Sequence, residues 1–222
     1  MMDVKKALEE ADGDMAKAAE ILRIKGLKGV TKREGRSASN GLVAAKAEAG
    51  VGTLVEVNCE TDFVAKGERF IALAEQVLAQ AIATEATDAE ALVASTLPDG
   101  RTVAELLIEG NAATGEKIEV RRVARVTGER VVAYLHKTSR DLPAQIGVLL
   151  ATSGGDEEIA HDVAMHVAAF SPTVLARADV PADVVANEQR IAEATAREEG
   201  KPEAALPRII EGRVNGYFKE NV

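Results

Sequence analysis

The hydrophobic pattern of this chain changes period abruptly between residues 57 and 68, and that change restricts what it can fold into. Leu54, Val55 and Val57 read as an apolar strand rich in β-branched residues. From Glu68 to about Ala83 the residues Phe70, Ile71, Ala74, Val77, Leu78 and Ala81 fall on one face of a helix. Between the two, Asn58-Cys59-Glu60-Thr61-Asp62 breaks the alternation and reads as a turn. Phe63 follows at the strand-to-helix junction. Only 3% of the residues are aromatic and none is Trp, so a large ring at a loop tip calls for a reason. Either it caps the local core from beneath the loop, as Phe usually does, or it is presented outward as a wedge for a partner.

The remaining pattern predicts an α+β fold. Residues 3 to 11 and 14 to 25 carry apolar positions at helical spacing, such as Ala18, Ile21 and Leu22. Asp12-Gly13-Asp14 between them offers a left-handed helix end and a cap for the next helix. Lys25 to Asn40 is rich in Lys, Arg, Gly and Ser and reads as a basic linker, either a solvated connector or a strip that docks on an acidic surface. Leu42 to Ala45 and Leu54 to Val57 read as strands around a hairpin turn at Gly50-Val51-Gly52. Thr87 to Ser95 and Thr102 to Glu109 read as short helices around Pro98-Asp99-Gly100. Ile118 to Val126, Arg130 to His136 and Ile146 to Ala151 read as strands, with a hairpin turn at Gly128-Glu129. A helix follows from Asp156 to Phe170, opened by acids that suit its positive end, with Ile159, Val163, Met165 and Val167 expected to cover the sheet. Val184 to Glu199 and Ala204 to Lys219 are helical around the turn Gly200-Lys201-Pro202, and Pro207 implies a late start or a kink in the second.

The 222 residues suffice for a sizeable core. The formal charge of -9 and a pI near 5.0 would repel a nucleic-acid backbone and favour a protein partner. A single Cys excludes an intramolecular disulfide framework and fits a reducing compartment. With no signal peptide and no long uncharged apolar run, the expected location is cytoplasmic.

Chemistry-bearing motifs are sparse. Gly115-Glu116-Lys117 lacks the preceding glycine and the following hydroxyl residue of a phosphate-cradling loop. His161 and His166 are five apart, about 140° around a helix, so they cannot chelate one metal from one face. Cys59 has no ligand pair nearby and reads as a buried structural thiol. No pair of carboxylates stands in a catalytic context. The expectation is no enzyme, no cofactor and no metal.

Three runs carry a resemblance: Asn58-Cys59-Glu60-Thr61-Asp62-Phe63-Val64-Ala65, the start Met1-Met2-Asp3-Val4-Lys5-Lys6-Ala7-Leu8, and Ala164-Met165-His166-Val167-Ala168-Ala169. Together, in this order over nearly the whole chain, they resemble the elongation factor Ts family, the guanine-nucleotide exchange factors of elongation factor Tu. The resemblance implies five segments: a partial ubiquitin-associated-like helical module (1–26), the linker (27–40), two core subdomains of sheet and helix (41–113 and 114–182), and a helical hairpin forming a coiled-coil-like protrusion (183–222). It also implies a chain shortened at both ends, since family members carry a helical turn and a glycine-rich loop before the Met-Met-Asp run and a further strand and helix after the position of Val222.

For function, the resemblance implies that Thr61, Asp62, Phe63 and Val64 face the GTP-binding domain of elongation factor Tu, with Phe63 entering between two helices and disturbing the groups that hold Mg²⁺ and phosphate. His136, Gly115, Lys5 and Arg33 match further contact positions, with Thr114 where the family has an aliphatic residue and Arg33 where it has Lys. A 2:2 assembly with the partner belongs to the same set of expectations. Fully burying one Phe is worth roughly 1.5–3 kcal/mol, or about one to two decades of affinity, so an exchange factor needs an extended interface besides the ring. The competing reading is an acidic adaptor that binds a partner without altering its nucleotide affinity.

Overall fold

The structure, a computed structural model, describes residues 2–15, 17–18, 21 and 36–222. Leu22 and the linker through residue 35, including Arg33, lie outside the described residues. The chain divides into two compact units, Met1–Met165 and His166–Val222.

The first unit opens with helix α1 (Met2–Glu10). It ends where the sequence predicts: Asp12 and Gly13 take positive φ, and the Gly13 N–H donates to the Leu8 carbonyl at 2.9 Å. Asp14 then caps the next turn by accepting from the Lys17 N–H at 3.1 Å. Ala7, Ala11 and Ala18 are buried together, with Leu8 and Ile21 packed around them.

The body of this unit is two antiparallel sheets. Strands β1 (Asn40–Glu48), β2 (Val51–Cys59) and β3 (Glu119–Thr127) form one, in that order, and β4 (Arg130–His136) and β5 (Ile146–Thr152) form the other. Helices α2 (Asp62–Ala65), α3 (Glu68–Ala83), α4 (Ala89–Ala94) and α5 (Val103–Thr114) lie between β2 and β3 in the chain. Their apolar faces close on the first sheet: Val55 and Val57 from β2 meet Phe70, Val77, Leu92 and Val103 in one buried cluster. Helix α3 has the predicted bounds. Helix α5 begins with a capping box, in which Thr102 accepts from Glu105 N–H at 3.1 Å and Glu105 accepts from Thr102 N–H at 2.9 Å. It runs five residues beyond the predicted end at Glu109, to Thr114.

Several expectations need correction. The first hairpin turns at Ala49-Gly50, since Glu48 pairs with Val51, and Gly52 is already inside β2. Asn58 and Cys59 are not turn residues: β2 continues through them, Cys59 pairs with Asn40, and the buried Asn58 amide donates to the Ala38 carbonyl at 3.1 Å. Asn58 looked like a turn residue because its hydrogen-bond partner, Ala38, lies twenty residues earlier in the chain. Gly128-Glu129 is not a hairpin either. It is a corner between sheets, because β3 pairs with β2 and β4 with β5. A two-residue connection has the same composition in both cases, and pairing is decided by which face is buried. Val120 and Val123 join the helix-covered cluster, whereas Val132 packs with Ala160 and Ala164. Val120 and Val123 can share a face although three apart because a bulge displaces the register after Glu56, leaving Arg121 without a partner across the ladder.

Helix α6 (Glu157–Phe170) also turns differently from the prediction. Asp156 caps it, accepting from the Ile159 N–H at 2.8 Å. It buries Ala160, Ala164 and Ala168; the first two pack on Val132 with Tyr134, Val148 and Leu150 around them, while Ile159, Val163 and Met165 are exposed. Small side chains let helix and sheet approach closely, and hydrophobicity alone named the wrong face. His161 is edge-on to Tyr134 with centroids 5.3 Å apart, whereas His166 stacks on Phe170 at 4.5 Å, so the two histidines have different neighbours.

In the second unit, helices α7 (Ala182–Glu198) and α8 (Leu206–Asn221) pack on each other through Ala192, Ala196, Leu206 and Val214. Pro207 sits in the first turn of α8, where a missing N–H costs nothing, so the predicted late start is what occurs. Asn221 O accepts from Thr173 and Val174 N–H groups at 2.9 and 3.3 Å, tying the end of α8 to the segment before α7.

Candidate functional site

Between β2 and α3 the chain makes the four-residue helix α2, far too short to persist alone. Tertiary contacts hold it. Ala65 is fully buried and Val64 is packed against the main core cluster. Thr61 is the N-cap, its hydroxyl accepting from the Val64 N–H at 3.4 Å. With Ala65 turned inward, the helix turns Phe63 the other way: it is 73% exposed, whereas Phe70 in the following helix is buried. The reading of Phe63 as a cap on its own core is thus excluded. Lys66 stands over the ring, Nζ 4.4 Å from the centroid, and the same ammonium is 3.9 Å from Asp62.

The loop before α2 is braced from three sides. The Glu116 carboxylate accepts from the Glu60 and Thr61 N–H groups, both at 3.0 Å, and from the Thr61 hydroxyl at 2.5 Å. In return the Glu60 carboxylate accepts from the Lys117 N–H at 2.7 Å, and the Glu60 carbonyl accepts from the Asn40 amide at 2.8 Å. Gly115 makes this possible. It caps α5 in the left-handed region at φ 79°, which reverses the chain so that Glu116 faces the Thr61 loop. Asn111 fixes the other side of that turn by accepting from the Ile118 N–H at 2.7 Å. Periodicity could not have found the roles of Glu116, Glu60 and Asn40, because their bonds join residues twenty to fifty-seven positions apart.

Beneath this loop Cys59 is fully buried, and its thiol donates to the Thr61 carbonyl at 3.2 Å. Burial, and after it the nearby Glu116 charge, push its pKa up to about 12. The thiol is therefore structural and has no nucleophilic character at neutral pH.

The other predicted contact residues are dispersed. Gly115 is exposed and belongs with Thr61 through the Glu116 brace. His136 is exposed at the end of β4, its Nδ1 3.1 Å from the Tyr134 hydroxyl. Lys5 is exposed on α1, 3.8 Å from Glu9. A cleft of about 510 Å³ opens beside Lys66, with Ile71, Leu78, Leu135 and Pro143 along it and Lys137 and Arg140 at its rim. Among the described residues no group of three His, Cys, Asp or Glu side chains is placed to hold a metal ion, and no helix is long and apolar enough to cross a membrane. The arrangement offers an apolar projection mounted on a braced loop.

Comparison with known proteins bears on the family. The family profile described as Elongation factor TS matches residues 60–222. The chain is 63% identical to "Elongation factor Ts" of Renibacterium salmoninarum over 225 residues, covering 100% of this chain and 81% of the relative. It is 62% identical to the protein of the same name from Micrococcus luteus, with the same coverage, and 64% identical to that of Kineococcus radiotolerans, covering 100% of this chain and 80% of the relative. A profile that spans most of the chain, and relatives this similar over its full length, place it: the chain belongs to the elongation factor Ts family, and its role is that of a translation elongation factor in protein biosynthesis.

Proposed function

We propose that this chain is a guanine-nucleotide exchange factor that acts on elongation factor Tu in the cytoplasm, promoting GDP release so that GTP can rebind. Such a factor does no covalent chemistry. It binds the nucleotide-free partner more tightly than the nucleotide-bound one, and by thermodynamic linkage the nucleotide then binds the complex more weakly by the same factor. Phe63 is the group that creates the difference. Entering the partner's GTP-binding domain, the ring displaces groups that hold Mg²⁺ and phosphate, while Thr61, Asp62 and Val64 form the surface around it.

The observation that carries this reading is the exposure of Phe63 on a helix whose other side is buried and whose N-cap is braced. A wedge does work only if its mount does not yield. The ring's own burial supplies roughly 1.5–3 kcal/mol, so docking also needs area elsewhere. Gly115, His136, Lys5 and Arg33 are the proposed further contacts.

The test is the rate at which elongation factor Tu releases a fluorescent GDP analogue when this chain is added. Acceleration that rises with concentration and saturates supports exchange. A complex that forms without faster release identifies an adaptor instead.

A further inference from the structure

Two surface turns that are 55 residues apart in sequence share one carboxylate, and we infer that Glu116 is the positioning residue that sets where Phe63 points. The proposal rests on the exchange reading above and adds to it a residue that touches neither the partner nor the ring. Glu116 accepts from two consecutive backbone amides, Glu60 and Thr61, through one oxygen, and from the Thr61 hydroxyl through the other. Those three donors belong to the last two residues before α2, so their positions fix its start.

The hydroxyl has a second role that makes the bond directional. Thr61 donates to Glu116 and accepts from the Val64 N–H. A charged acceptor on the hydrogen side draws electron density toward the oxygen and strengthens it as an acceptor, so the N-cap of α2 is reinforced from Glu116. The reverse contact, Lys117 N–H to the Glu60 carboxylate, closes a ring of bonds between the two turns. A loop held by its neighbours in sequence would allow α2 to rock. One held by a turn mounted on α5 and β3 moves only with the core.

Glu116 is half-buried, and its bond to the Thr114 hydroxyl comes from the backbone N–H, so replacing the side chain removes the brace while leaving that bond and the Phe63 side chain itself. Three variants separate positioning from stability. Glu116→Ala removes every acceptor. Glu116→Gln keeps a carbonyl oxygen for the two backbone amides. Thr61→Val removes only the hydroxyl relay. Each is measured for its maximal rate of GDP-analogue release from elongation factor Tu, for the concentration giving half that rate, and for amide hydrogen exchange at Glu60 and Thr61 in the free protein.

Loss of charge-assisted bonds at this site predicts a maximal rate about five- to thirtyfold lower for Glu116→Ala, with half-saturation changed less than about threefold. Glu116→Gln stays within about threefold of the parent, and Thr61→Val lies between. In a Phe63→Ala background Glu116→Ala has no further effect on the maximal rate, because both act through the same ring. A merely structural role would instead raise half-saturation and lower the maximal rate independently of Phe63. Faster exchange at the two amides in Glu116→Ala, with the Val77 amide in α3 unchanged, supports the brace even where the parent fails to accelerate release, an outcome that sinks only the exchange reading. Unchanged protection at Glu60 and Thr61, or multiplicative effects of Glu116→Ala and Phe63→Ala, overturns the inference.

Discussion

The Lys66 ammonium, at the C-cap of α2, sits 4.4 Å from the centroid of the Phe63 ring, so the exposed aromatic face is partly covered by a cation three residues on. A cation over an exposed ring is worth about 0.5–1 kcal/mol, and the accompanying pair with Asp62 is a surface ion pair that contributes little.

Lys66→Ala therefore changes the maximal rate of nucleotide release by no more than about fivefold in either direction. Stopped-flow release from elongation factor Tu measures it. An effect larger than that of Phe63→Ala would mean that the cation itself, and not the ring, meets the partner.

Cys59 gives the fold a dependence on alkaline pH. The thiol ionises near 9.0 when unfolded and near 12 in the native state. The unfolded chain thus gives up its proton first, so stability from this group is intact below pH 9 and is lost as pH rises from about 9 towards about 12. The slope it adds is up to about 1 kcal/mol per pH unit. Urea denaturation at pH 8, 9.5 and 10.5 should show Cys59→Ala less stable than the parent at pH 8 but losing stability less steeply. Parallel pH profiles for the two proteins would show that the thiol is not held protonated.

The face that α6 buries is also open to test. Ala164 is fully buried and Ile159 is 58% exposed on the same helix. Overpacking predicts that Ala164→Leu costs about 1–3 kcal/mol, whereas Ile159→Ala stays within about 0.5 kcal/mol of the parent. Thermal and urea unfolding of both variants decide it, and the reverse ranking would restore the face expected from hydrophobicity.

Much of the fold was legible in the residues. The bounds of α3, the αL exit at Gly13, the turn at Gly200-Lys201-Pro202 and all five strands follow from period and turn chemistry. What escaped was information that no local window holds. Asn58 looks like a turn residue until Ala38 is brought beside it. Gly128-Glu129 looks like a hairpin until the separate cores under Val123 and Val132 assign β3 and β4 to different sheets. At the site, the lone ring at a strand-to-helix junction pointed to Phe63, but its direction was undecided until Ala65 and Val64 were seen to take the inner side. Glu116 belongs to Gly115-Glu116-Lys117, which has no phosphate-loop pattern, and its bond to Thr61 depends on where α5 ends.

The most direct measurement is the maximal rate at which saturating Phe63→Ala releases a fluorescent GDP analogue from elongation factor Tu, compared with the parent. A fall of about ten- to hundredfold, with half-saturation within about threefold and an unchanged melting temperature, is the predicted result, since the ring is exposed in the free protein and its burial in the partner is worth one to two decades. A variant that accelerates release as well as the parent would contradict the account.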